Sequence, residues 1–125
     1  QQLVVELAAV EQHAVLAEGL SVVAGHGDDR LVVPGHGVYA AFANGHPAAV
    51  NVGIRPTFET GRGLLVEAFL IEHEEDLYGK NLRVAFVSRL RGERRFPSAE
   101  DLIAQMHRDV AEAREVAARY ERASS

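Results

Sequence analysis

The sequence has no cysteine, which excludes a disulfide framework and any thiolate metal site. It has no apolar run approaching the ~20 residues of a membrane-spanning helix, and no stretch reads as a signal peptide. Dense Lys/Arg clusters are missing as well. Thirteen basic side chains stand against eighteen acidic ones, for a formal charge of −5. That balance argues against a nucleic-acid footprint. The six histidines, at positions 13, 26, 36, 46, 73 and 107, never show HExxH spacing, so no metal ligand is assigned. These absences fit a cytoplasmic protein with no nucleic-acid partner and no membrane.

What is present is ordinary for a globular chain: 47% hydrophobic and 25% charged residues. A length of 125 residues suits one domain with one core. The chain begins at Gln1 rather than Met, as a domain cut from a longer protein would.

In residues 3–17, Leu3, Leu7, Val10, Ala14 and Ala17 recur at helical spacing, which predicts a short amphipathic helix. This helical segment, residues 1–18, would come from a preceding domain or linker. LSVVA (residues 20–24) reads as a strand and GHGDDR (residues 25–30) as a loop. GVYAAF (37–42) and PAAVNV (47–52) read as two strands of a hairpin. Asn44-Gly45 between them is a strong turn signal, because both residues tolerate positive φ. Residues 53–63, GIRPTFETGRG, are too rich in glycine and proline to be regular. LLVEAFLI (64–71) alternates as a strand, with Leu65, Glu67, Phe69 and Ile71 on one face and Leu64, Val66, Ala68 and Leu70 on the other. EHEEDLYGK is a charged loop, and LRVAFVSRL (82–90) is a further strand.

Ser98 then stands as N-cap, with Asp101 three residues later, ahead of a helix expected from about Ala99 to about Arg119. Its apolar face is Leu102, Ile103, Met106, Val110, Ala113, Ala117 and Tyr120. Its polar face holds Gln105, Arg108 and Asp109. Five strands and one long helix suggest a small antiparallel barrel capped by a helix; taken alone the pattern gives a mainly β, α+β domain.

Glu67 is the candidate of most interest. If its face is the inner one, the carboxylate is partly desolvated, as a general base requires. If not, it is a strand glutamate at the rim, and the alternation leaves both open. Tyr78 reads as a packing residue of a turn. Arg91, Arg94, Arg95 and Phe96 form either a solvated basic loop or a surface that stacks on a flat ring.

NVGIRPTF, VEAFL, DLYG and LRVAFVSRLRGERRFPSAEDLIAQMHRDV, in that order, resemble the riboflavin kinase module of bacterial bifunctional flavin kinase/FAD synthetases. The resemblance runs roughly from Val38 to Arg114. It implies a Greek-key barrel of six strands and the reaction ATP + riboflavin → ADP + FMN. It also implies ATP and Mg2+ as co-substrate and metal, and an adenylyltransferase domain ahead of this one in the parent chain. Glu67 matches the family's catalytic base toward the ribityl 5′-hydroxyl. Asn51, Gly53, Pro56, Leu77, Tyr78 and Gly79 match segments beside the nucleotide. Arg91 and Phe96 match the flap over the flavin.

One motif departs from the family. Its glycine-rich loop ends in Pro-Thr-Ala-Asn, whose Thr and Asn hold magnesium and phosphates. Here GHGDDR passes straight into LVVPGHGVYA and no Pro-Thr-Ala-Asn occurs. The alternative reading is therefore a flavin-binding or regulatory domain of the same shape without catalysis.

Overall fold

The structure, a computed structural model, describes residues 3–7, 12–17, 20–27, 35–55, 63–71, 77, 79–92 and 94–124. Seven strands form one antiparallel sheet: β1 (Leu3–Leu7), β2 (Gln12–Ala17), β3 (Leu20–Gly27), β4 (Gly37–Ala43), β5 (His46–Arg55), β6 (Gly63–Ile71) and β7 (Leu82–Arg91). One helix follows, α1 (Ala99–Ser124). The strand order is β1-β7-β4-β5-β6-β3-β2. β4, β5 and β6 form a meander, and β7 returns to lie beside β4, which is a Greek key. The sheet curls until β1, at one edge, approaches β3 near the other. Among the described residues no ladder closes that seam.

The helix expected in residues 3–17 is instead two strands. The helical spacing there is short, and Val4, Val5 and Val15 are β-branched. Register with distant strands outranks it: Leu3–Leu7 pair with β7 from Phe86 to Leu82, and Gln12–Ala17 with β3. Gly25–Gly27, expected in a loop, continue β3 because they pair with Val66, Leu65 and Leu64. Likewise β5 runs on to Arg55 opposite Gly63. The remainder of that loop lies outside the described residues.

Asn44 and Gly45 have φ of 49° and 84°, the two positive values a tight hairpin turn needs. The Asn44 side chain serves a second strand too, since its Oδ1 accepts from the Arg83 amide at 2.7 Å. Gly37, at the start of β4, has φ of 151°, and a Cβ there would meet the Arg91 carbonyl oxygen at 2.6 Å. Only glycine lets β4 lie this close to the end of β7.

Two layers of apolar side chains result from the period-two alternation. Inside the curled sheet, Val50, Val52, Val66, Leu70, Leu82 and Val84 are fully buried. Tyr39 and Phe86 join them edge to face, with centroids 5.3 Å apart. On the outer face, Ala40 and Ala49 sit opposite each other and let Ala113 of α1 approach. Phe69, Ile71, Leu90, Val110 and Val116 fill in around them. Each large side chain so buried contributes about 1.5–3 kcal/mol.

The helix begins as expected. Ser98 Oγ accepts from the Asp101 amide at 3.2 Å, and the Ser98 carbonyl accepts from Leu102. It runs past Arg119 to Ser124. Its buried stripe differs from the expected one. Leu102 and Ile103 are exposed, as is Tyr120, which leans on Phe42. Gln105 and Asp109 are buried instead, beside Met106, Ala113 and Ala117. The reason is a cation beneath them, the Arg91 guanidinium at the end of β7, which pairs with Asp109. Among the described residues, no helix is long and apolar enough to cross a membrane.

Candidate functional site

The register defines one end of the sheet. The last residues of β3, β5 and β7 and the first of β4 and β6 meet there, because Gly27 faces Leu64, Arg55 faces Gly63, and Arg91 faces Val38. Just inside this rim runs a row of directly paired residues: Ala24, Glu67, Asn51, Val38 and Arg91. Opposed residues of antiparallel strands share a face. Asn51 and Glu67 alternate with Ala49 and Phe69, so they stand on the outer face, the one α1 covers.

Glu67 is therefore not inside the barrel. The inner positions of β6 are Val66, Ala68 and Leu70, and Glu67 is half-buried on the opposite side. Its Oε1 accepts from the Asn51 Nδ2 at 3.4 Å. Among the described residues no guanidinium or ammonium group pairs with it.

Arg91, at the far end of the row, is heavily engaged. Its Nε donates to Asp109 Oδ1 at 3.0 Å, and its Nη2 to Oδ2 at 2.7 Å. Its Nη1 donates to the Gly92 carbonyl at 2.9 Å. Gln105 Nε2 donates to Asp109 Oδ1 at 3.0 Å, and Gln105 Oε1 accepts from Arg94 and Arg108. A buried carboxylate needs such partners to stay charged. Arg91 and Arg94 also stack over the Phe96 ring, 5.9 and 5.3 Å from its centroid. Arg91 and Arg94 are thus fastened to the first three turns of α1. One guanidinium, that of Arg91, pairs with the Asp109 carboxylate, while those of Arg94 and Arg108 meet the Gln105 amide oxygen.

Asp109 was expected on the exposed face of the helix, and its role was missed. The available signal was its place on the same stripe as Met106 and Ala113, four residues after Gln105, downstream of an arginine-rich turn.

The residues matched to the nucleotide do not gather at one place. Asn51 and Gly53 lie toward the rim just described. Leu77 and Gly79 follow the other end of β6, where the Asn44-Gly45 turn also lies. Leu77 is buried in the inner core. Its carbonyl accepts from Lys80, and Gly79 takes φ of 78° in the turn they make. Pro56 and Tyr78 lie outside the described residues. Among the described residues no cluster of His, Asp and Glu could hold a metal ion.

The profile of the Flavokinase family, riboflavin kinase, matches residues 23–117. The chain is 40% identical over 91 residues to the bifunctional riboflavin kinase/FMN adenylyltransferase of Escherichia coli K12, which covers 69% of this chain and 29% of the relative. The protein of that name from Pseudomonas fluorescens is 38% identical over 93 residues, 71% of this chain and 30% of its own length. The RNA-binding riboflavin kinase RibR of Bacillus subtilis is 32% identical over 79 residues, 60% of this chain and 34% of its own. The chain thus spans about a third or less of these relatives. Among solved structures, a macrolide-efflux protein from Streptococcus pneumoniae superposes with a TM-score of 0.69 over 90% of this chain and 38% of its own, at 22% identity. That likeness is one of fold alone.

Proposed function

The chain belongs to the riboflavin kinase family, and from this we propose that it transfers the γ-phosphoryl group of ATP, as its magnesium complex, to the ribityl 5′-hydroxyl of riboflavin. Glu67 takes the hydroxyl proton, the oxygen forms the new bond to phosphorus, and ADP leaves with the electrons of the broken P–O bond. The flavin ring lies against the segment from Arg91 to Phe96. The phosphates lie toward Gly53, at the rim where β5 ends and β6 begins. The parent chain carries an adenylyltransferase domain elsewhere, as the names of the relatives describe for those proteins. The protein acts in the cytoplasm and, at a net charge of −5, takes no nucleic acid.

The observation that carries this reading is the state of Glu67. It is half-buried and, among the described residues, touched by a neutral amide rather than a cation. A carboxylate locked to a guanidinium has its lone pairs committed, as Asp109 does. Among the described residues Glu67 keeps one oxygen open, and a base must. Phosphoryl transfer otherwise depends on positioning and charge.

The test is to incubate the chain with riboflavin, ATP and magnesium and to follow FMN by chromatography. FMN above the enzyme-free control supports the kinase reading. No FMN, together with tight riboflavin binding, moves the assignment to a flavin-binding domain without catalysis, which the absent Pro-Thr-Ala-Asn motif favours.

A further inference from the structure

Asn51 carries the one buried side-chain polar atom among the described residues that lacks a hydrogen-bond partner, its Oδ1. Buried orphan acceptors are rare and call for a reason. Asn51 is directly opposite Glu67 in the β5–β6 ladder, so the two side chains rise from one pair on one face. The amide cannot be reversed to relieve the orphan, because that would set Oδ1 against a carboxylate oxygen. The amide nitrogen must face Glu67, and the carbonyl oxygen is left without a donor.

The geometry points to Asn51 as a positioning residue for Glu67, not a nucleotide contact: its Nδ2–H holds Oε1 of the carboxylate, leaves Oε2 as the basic oxygen, and keeps Oδ1 ready for a hydroxyl of the incoming polyol. This rests on the reading of Glu67 as base. The Nδ2–Oε1 separation of 3.4 Å is long, as catalytic hydrogen bonds often are before substrate arrives. A polyhydroxylated chain laid along this row meets both needs at once. One hydroxyl gives its proton to Oε2, and its neighbour donates to Oδ1.

Steady-state kinetics on Asn51→Ala and Asn51→Asp, beside Glu67→Gln, test this. Asn51→Ala is expected to lower kcat about ten-fold or more with KM for ATP unchanged, as loss of a transition-state contact does. Asn51→Asp keeps the acceptor but replaces the donor with a second carboxylate. Like charges in contact share a proton, so the acid limb of its pH–rate profile should move up by about one unit or more. An Asn51→Ala loss confined to KM for ATP restores the nucleotide role and overturns the inference, and so does an unchanged kcat. If Glu67→Gln keeps full turnover, the base reading falls instead, whatever the Asn51 variants do. A readout without turnover is the Asn51 side-chain amide NMR signal. It should shift as the pH is lowered and stop doing so in Glu67→Gln. A signal indifferent to pH in the unaltered chain overturns the pairing.

Discussion

Arg91 meets Asp109 with two of its nitrogens, and so joins the last residue of β7 to the third turn of α1. The side chains are 19% and 6% exposed, which makes this a largely buried pair. Removing one partner strands the other. Asp109→Ala should therefore cost about 3 kcal/mol in urea denaturation, the lower end of the range for such pairs. The double change Arg91→Met with Asp109→Leu should recover most of that loss, because apolar residues of similar volume need no pairing. A double variant no better than the single one would show that the network does more than satisfy two charges.

The same latch bears on the flavin. Phe96 is held under Arg91 and Arg94, so its ring is already ordered before a ligand comes. Phe96→Ala should weaken riboflavin binding by about 1 kcal/mol, or about five-fold in Kd by fluorescence quenching. Unchanged affinity would place the flavin elsewhere.

Glu67→Gln keeps the shape of the side chain and can still meet the Asn51 amide, through its own carbonyl oxygen. It should therefore retain riboflavin affinity while its kcat drops by about a hundred-fold or more, the usual contribution of a general base. A variant that binds and turns over normally removes Glu67 from the mechanism.

The hairpin turn offers a control far from the site. A Cβ on Gly45 would meet nothing within 4 Å, so its substitution tests backbone conformation alone. Gly45→Ala should cost about 1 kcal/mol through the positive φ, and Gly45→Asn clearly less. Equal losses would mean that the turn is not held in this form.

Much of this was legible because it is local. The Asn-Gly turn, the Ser98 cap and the alternation of β4 to β7 depend on neighbours within a few residues, and each stands where its residues suggest. The resemblance named the family from NVGIRPTF, DLYG and the helix start, and the matching profile agrees with it. The failures share a cause. Residues 3–17 look helical until β7 and β3 are there to pair with them. Glu67 could face either way, because both faces of β6 are apolar and only the placement of α1 decides between inner core and outer layer. Asp109 reads as a surface residue unless Arg91, eighteen positions earlier, is known to lie beneath it. The separation of Leu77 from Asn51 follows from register, which no short motif reports.

The pairing of β1 with β7 has a consequence for how the chain is made. Leu3 finds its partner in Phe86, and Leu7 in Leu82. On a ribosome, β1 emerges before the other six strands and must wait for the last of them to leave the exit tunnel. Until then β4, β5 and β6 can zip as a meander through short connections, whereas β1 has a long loop to close before any contact rewards it. The sheet's two ends are thus ordered in time: its middle can assemble during synthesis, and its β1 edge only once β7 has emerged.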